Sequence, residues 1–475
     1  MSTDFDAAVI GSGIGGLTCA ALLSQQGMRT VVLERFSRIG GYAQEFSRKG
    51  FTFDSSVHSV SMGDNGFVSG LLAQLGLREK LDIVPNTSTA RVLSPDFSYT
   101  LPADLGGLTD SLCRDFPHES RAVPALLADM ERLFAVYKGN LADGVASLAS
   151  PGVGPSGSYK EYIDHFVADP RLRFLLGSIW PFGGSSPSIA PFYNAFIFIA
   201  HACEGSHYVK GGFAALAQAL SAAITSRGGE VRTLWPARSL RMERGRVVAA
   251  VGDRGEEIAA RVFVSNISPY LLHRTLVPEP SRKALWLRRL ENLSPSVSAV
   301  CVYLGMEGDA AGIAEENLTL WFGSNDHDAI YRRIGSGLPA DIDHLVIARP
   351  PDPGRGQCIT LIHLVKQQPG IAWRDEKKRI ADAMMQKAKE LLGDFTPKIR
   401  VCEVASPDTF ERYTGNTAGA LYGFENTSDL YGRSKLPFTT YIPNLFQAGH
   451  WTKAGGGIYN VMASGKAVAD MISKG

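Results

Sequence analysis

Near the start of the chain, Gly11-Ser12-Gly13-Ile14-Gly15-Gly16 has the residue types and spacing to hold two negative charges against bare backbone. Gly11 permits a tight turn out of a strand. A Cβ at Gly13 would collide with a pyrophosphate, and one at Gly16 would hold helix and strand apart. The N–H groups of the helical turn that begins at Ile14 and Gly15 then face the anion, where the helix dipole also favours it. Glu34 lies twenty-one residues beyond Gly13. A carboxylate there accepts both hydroxyls of an adenosine ribose and repels a 2′-phosphate. Together these residues describe a dinucleotide site, and they do not separate FAD from NAD.

These residues need particular elements to position them. Ala7 to Ile10 is a short apolar run consistent with a buried parallel strand. The pattern after the glycines predicts a helix from Ile14 to about Gln26, ended by Gly27, and a second strand, Thr30 to Leu33, that closes the unit at Glu34. Residues 105 to 205 read mostly helical around a Ser150–Ser158 loop, and a helical run from Phe213 to Ser226 follows. Short strands are expected around Val231, Val247 to Val251 and Val262 to Val264, and buried strands over 297 to 304 and 359 to 365. Ile380, Met384, Ala388 and Leu391 lie at helical spacing within a predicted amphipathic helix, Asp375 to Leu392. A second glycine cluster, Gly449 to Gly457, sits at the far end of the chain. A site completed by both ends implies one domain built from separated segments with another inserted between them.

Composition bounds the remaining possibilities. Of 475 residues, 45% are hydrophobic and 20% charged, an ordinary globular balance. A formal net charge of +1 gives no reason to expect nucleic acid as a partner. The six cysteines (19, 113, 203, 301, 358 and 402) show neither a C-x-x-C pair nor metal-ligand spacing, so neither a disulfide framework nor a metal is expected. His201 and His207 flank Glu204, a group read as solvated loop residues and not as a metal site. The N-terminus does not read as a signal peptide, and no apolar run reaches the roughly 18 residues of a membrane span, so a cytoplasmic location is the expectation.

The segment after Glu34 carries more information. Arg35, Arg38, Gly40 and Gly41 supply cations and small residues that suit an approaching polyphosphate. Here the chain resembles the large FAD-dependent family that includes amine oxidases and phytoene desaturases, in which an R-x-G-G segment lies along the FAD diphosphate and ribityl chain; Arg38, Gly40 and Gly41 match it. Gly229-Glu230-Val231 resembles that family's G-x-V strand, whose later small apolar position, here Ala237, covers the adenine. Asn444 to Thr452 with Gly455-Gly456-Gly457-Ile458 resembles the closing motif, which places Gly449, His450, Gly457 and Ile458 at the flavin ring. Backbone N–H groups near Gly457 and Ile458 would there stabilise negative charge on reduced flavin.

Within that family the chain is most similar to phytoene desaturases, carotenoid isomerases and retinol saturases. The likeness rests on Phe53-Asp54-Ser55-Ser56-Val57-His58, on Tyr208 to Phe213, on Val264-Ser265-Asn266, and on Pro407, Arg412, Gly419 and Tyr422-Gly423. Ser56 stands where relatives often carry glycine, and Lys453-Ala454 where they commonly carry proline. The resemblance implies an α/β fold: a Rossmann-type FAD-binding domain (1–80, 205–275 and 405–475) with an inserted α+β substrate-binding domain (81–204 and 276–404), a mixed sheet flanked by helices. It adds Ser56, Val57 and Asn266 to the cofactor residues and makes His58 the candidate for proton transfer.

The implied reaction is hydride transfer between flavin N5 and C–C or C=C bonds of an extended hydrophobic polyene, as desaturation, saturation or isomerisation. No second G-x-G-x-x-G unit offers a nicotinamide site, so oxygen, a quinone or another protein is the expected electron partner. Ile189 to Cys203 and Lys283 to Arg289 are candidates for peripheral membrane contact, with core packing and an ordinary surface helix as the alternatives. Two other functions compete: an FAD amine oxidase, which needs an aromatic pair at the flavin for which Trp451 and Tyr459 are the candidates, and a flavin-free lipid-binding protein of the GDP-dissociation-inhibitor kind.

Overall fold

Two seven-stranded sheets organise the chain. The computed structural model describes residues 4–142, 157–308, 310–338, 341–352, 354–355, 357–368, 370–428 and 435–474. In the first sheet, Phe5–Ile10 lies between Thr30–Leu33 and Glu257–Ser265, with Glu230–Arg232 beyond the former and Leu445–Gln447 beyond the latter, all parallel. Alternate residues of Phe5–Ile10 enter two different cores. Ala7 and Val9 face the helices, while Ala8 and Ile10 face Trp235, Leu240 and Leu272, which Phe5 joins from the start of the strand. Both faces are therefore covered, which explains the unbroken apolar run.

The helices Ile14–Gln25, Phe213–Thr225 and Ile458–Lys474 cover the first of these faces. Ile14–Gln25 is buried almost all round because it is wedged between the sheet and both other helices. Its approach to Ile458–Lys474 is set by small residues: a Cβ on Gly465 would strike the Gly15 carbonyl oxygen. The two ends of the chain are thus joined in one layer. The strand expected at Val262 to Val264 extends over Glu257–Ser265. Its first half pairs with Arg246–Val251 in an antiparallel meander, and its second half enters the parallel sheet. The segment before Val262 alternates buried and accessible residues, so apolarity alone marks only its end.

The second sheet is mixed, in the order Ile399–Ala405, Ser298–Met306, Cys358–Val365, His344–Ala348, Leu318–Phe322, Ala90–Ser94, Phe97–Leu101. Only Leu318–Phe322 and Ala90–Ser94 run parallel. Ser298–Met306 is buried along its length. Val300, Val302 and Leu304 pack under the helix Trp373–Leu392, whereas Ala299, Cys301 and Tyr303 face a helical layer formed from 105–204. That layer comprises Leu105–Asp115, Ala122–Ala142, Tyr159–Phe166, Pro170–Gly177 and Ala195–Glu204. Most of the loop expected over Ser150–Ser158 lies outside the described residues.

One sequence expectation is corrected here and one open choice is resolved. Of the readings open for Ile189 to Cys203, core packing is the one found: Phe192, Phe196, Phe198 and Ile199 are core residues, and the helix Ala195–Glu204 packs on Ala122–Ala142. His201, Glu204 and His207 are not a solvated loop. His201 and Glu204 lie in that helix and His207 in the strand Ser206–Val209; Glu204 is 5% exposed and pairs with Lys138 at 3.2 Å. Burial first of all holds the Glu204 carboxyl above its ordinary range.

Candidate functional site

A cavity of about 430 Å³ runs between the two sheets, large enough for a sizeable organic ligand. At one end its wall is the glycine turn. Gly11, Gly13, Ile14 and Gly15 line it, facing Glu34, Arg35 and Arg38. Gly16 stands behind them and does not reach the cavity. A Cβ on Gly16 would meet the Gly11 carbonyl oxygen at 2.5 Å, so its smallness serves helix-on-strand packing.

The Glu34 side chain is fixed by three donors. Its Oε2 accepts from Ser12 N–H at 3.0 Å and Ser12 Oγ at 2.6 Å, and its Oε1 accepts from Phe36 N–H at 2.9 Å. A carboxylate has about four acceptor sites, so capacity remains for a ligand hydroxyl. Arg35 donates to the Arg412 carbonyl at 2.8 Å and covers the Phe36 ring, while Arg38 donates to the Glu45 carbonyl. Gly40 N–H donates to the Ser12 carbonyl at 2.9 Å, which lays the Arg38-to-Gly41 segment on the glycine turn. Gly40 has φ +110°, a conformation that excludes side chains at little cost only for glycine. Ala237 lies in the wall beside Trp235 and Pro236.

Asn266 links three segments of the site. Its N–H donates to the Ile10 carbonyl at 2.8 Å and its Nδ2 to the Ala448 carbonyl at 3.0 Å. A Cβ at Gly13 would lie 2.5 Å from its Oδ1, and one on Gly449 would collide with its Nδ2. Gly13 therefore answers to a protein side chain as well as to any ligand, which the sequence did not disclose. Gly449, His450, Gly457 and Ile458 complete this wall, where Gly457 is the residue before the helix Ile458–Lys474.

Ser56, Val57 and His58 line the same cavity. Ser55 and Ser56 both donate to the Tyr42 carbonyl, at 2.8 and 3.1 Å, and Tyr42 Oη donates to the Ala420 carbonyl at 3.0 Å. Asp54 explains why two separated motifs occur together. It accepts from Phe213 N–H at 3.1 Å and from Tyr208 Oη, and a Cβ on Gly212 would fall 2.5 Å from its Oδ1. Burial pushes the Asp54 carboxyl up, opposed by Tyr208 and by Arg355 at 3.6 Å. The rings of His58 and His450 are each driven down to about 4 by burial, and Nε2 of each has no partner among the described residues. Both imidazoles are neutral at pH 7.

Beyond the glycine turns the cavity opens into an aromatic chamber. Phe134, Tyr137, Phe196 and Tyr459 form one contiguous group of rings, and Ile197 and Leu421 add aliphatic wall. Of these only Tyr459 was singled out from sequence, as one of the two rings weighed for an amine oxidase. Trp451 is elsewhere: it is buried against Tyr270 and Phe424 and donates to Asn416 Oδ1 at 2.7 Å, so it forms no aromatic pair with Tyr459.

The residues present fit FAD. The glycine turn and Glu34 suit its adenosine and diphosphate, and two buried imidazole nitrogens have no polar partner among the described residues.

Comparison with known proteins agrees with this geometry. A family model described as flavin containing amine oxidoreductase matches residues 14–473. The chain is 23% identical to all-trans-retinol 13,14-reductase of Macaca fascicularis, over 94% of this chain and 82% of that protein. It is 25% identical to the chloroplastic prolycopene isomerase of Daucus carota, over 99% of this chain and 80% of that protein. Among solved structures, an oxidoreductase from Methanosarcina mazei superposes with a TM-score of 0.68 at 17% identity, covering 98% of this chain and all of that one.

Proposed function

Because the chain belongs to the flavin-containing amine oxidoreductase family, we propose that it is an FAD-dependent oxidoreductase acting on C–C or C=C bonds of an extended hydrophobic polyene, of the carotenoid or retinoid kind. One observation carries this reading: the cavity joins a dinucleotide-binding turn to a chamber walled by aromatic rings. Rings and aliphatic side chains bind a long apolar chain by excluding water from it. The names of the reductase and isomerase relatives support the same substrate class.

Bound FAD supplies the two-electron acceptor or donor. The chain's own residues hold and orient the reactants. We assign the cofactor to the segments around 1–80, 205–275 and 405–475, and the substrate chamber chiefly to 81–204 and 276–404. Gly11, Gly13, Glu34, Arg38 and Asn266 fix the adenosine and diphosphate end, and the start of the helix Ile458–Lys474 offers N–H groups to the ring end. His58 is the proposed proton-transfer residue. As a neutral imidazole it accepts a proton or hydrogen bond and does not deliver one from a charged ring.

The electron partner in this reading is oxygen, a quinone or another protein, and the setting is a cytoplasmic membrane surface. None of the described helices is long and apolar enough to cross a membrane. The helix Ala284–Glu291 is the proposed contact, since Leu285 is 80% exposed beside Lys283 and Arg288. An amine oxidase reading lacks its aromatic pair at Trp451 and Tyr459. Purified protein should be yellow with stoichiometric FAD, and liquid chromatography with absorbance and mass detection after incubation with candidate polyenes should show a product altered by two hydrogens or an isomer of unchanged mass and new retention. Flavin-free protein that cannot be reconstituted, or a holoenzyme inert to every polyene and active on amines, defeats the proposal.

A further inference from the structure

The chamber's aromatic wall is interrupted by Lys435, whose residue is 6% exposed. Its Nζ donates to Asn426 Oδ1 at 2.6 Å and to Tyr193 Oη at 3.1 Å, and Asn426 in turn donates to Asn194 Oδ1 at 3.0 Å. No carboxylate among the described residues forms an ion pair with it. Among the described residues the ammonium therefore has two neutral hydrogen-bond acceptors for three N–H groups, with the Tyr193 ring 5.8 Å away, and burying a charge on such terms is costly. Burial lowers the ammonium to about 8, which leaves it mainly charged at pH 7. Tyr193 and Asn426 line the cavity with it. A Cβ on Gly455 would lie 3.7 Å from Nζ, so the group stands beside the glycine turn that leads into the helix Ile458–Lys474.

We propose that Lys435, Tyr193 and Asn426 form a receptor for an oxygen-bearing end of the substrate, a carboxylate or carbonyl, in an otherwise apolar molecule. A charged donor lacking an anionic partner gains most from such an oxygen, because charge-assisted hydrogen bonds are the strong ones. The substrate is then held by one end beside the Gly455–Gly457 turn, and an all-hydrocarbon chain of the same length is the poorer ligand. The inference rests on the chamber reading given above and narrows it from polyenes in general to end-oxygenated ones.

The test uses oxidised holoenzyme and quenching of tryptophan fluorescence, so that it needs no turnover. The probes are an all-trans polyene carboxylate, the matching alcohol and the matching hydrocarbon. Wild type should bind the carboxylate most tightly and the hydrocarbon least. Lys435→Met should weaken the carboxylate by about 10- to 100-fold and leave the hydrocarbon within about threefold, with flavin absorbance unchanged. Lys435→Arg, which keeps the charge, should retain a preference for the carboxylate. If wild type binds carboxylate and hydrocarbon alike, or if Lys435→Met weakens both equally, the receptor is refuted and the polyene reading stands. Wild type that binds none of the three refutes both.

Discussion

Replacing Glu34 by glutamine isolates the contribution of the adenosine end of the site. The carboxylate accepts from Ser12 N–H, Ser12 Oγ and Phe36 N–H at 2.6 to 3.0 Å, and it is 9% exposed. Glutamine has nearly the same shape but only one acceptor oxygen. If that oxygen keeps Ser12, the amide NH₂ faces Phe36 N–H, donor against donor, and the amide no longer offers a charge to the ribose hydroxyls. Losing a hydrogen bond to a charged group removes about 1.5–3 kcal/mol, or roughly 10- to 150-fold in affinity. The apoprotein should therefore bind FAD about that much more weakly, measured by titration of flavin fluorescence. FMN has no adenosine, so its affinity should stay within about twofold. FAD and FMN weakened together would mean that Glu34 holds the turn and not the ribose. Unaltered FAD affinity would remove the ribose assignment altogether.

Gly13→Val should yield colourless protein on purification, since the side chain would meet Asn266 and the cofactor's diphosphate path together. Asn444 should be a stability determinant: its amide satisfies Val247 N–H, the Val247 carbonyl and the Arg261 carbonyl at 2.8 to 3.0 Å, so Asn444→Leu should cost about 2–4 kcal/mol in urea unfolding. Acid stability should reflect His58 and His450, whose folded values of about 4 lie below the ordinary 6.5. The unfolded chain binds those protons first, so their contribution is intact above pH 6.5 and is lost as pH falls from there to 4. The loss is on the order of 2 kcal/mol each once partial exposure is allowed for, and thermal unfolding of the apoprotein across that range should show it shrinking in His58→Gln. Leu285→Asp should reduce co-sedimentation with anionic phosphatidylserine vesicles while leaving FAD content unchanged.

The cofactor end was readable from sequence because its parts are local. Gly11 to Gly16 and Glu34 span one strand–helix–strand unit, and the physical demand on each is set within that unit. Asn266 was reached only through resemblance. Its work depends on Ile10 on one side and on Ala448 and Gly449 on the other, the latter more than 180 residues further along the chain. For Ile189 to Cys203 the sequence left membrane contact, core packing and a surface helix open, because an irregular apolar run suits all three; the packing partners Phe134 and Tyr137 single out the core helix. The loop over Ser150–Ser158 falls largely outside the described residues.

The substrate end was opaque for a different reason, and it bears on how such chambers arise. Phe134 and Tyr137 lie one helical turn apart and meet Phe196 from a second helix. That spacing is the same whether the rings fill a core or stop short and leave a void, because helical periodicity reports which face turns inward and not how far the opposite wall stands away. The distance is set by backbone placement, here by the second sheet and by small residues such as Gly183 and Ala200 in the same wall. Lys435 breaks the ambiguity in a way that aromatics cannot. A lysine is almost never buried without a charged partner; among the described residues Lys435 has only the neutral acceptors Asn426 and Tyr193, and that mismatch is the ground of the receptor proposed above.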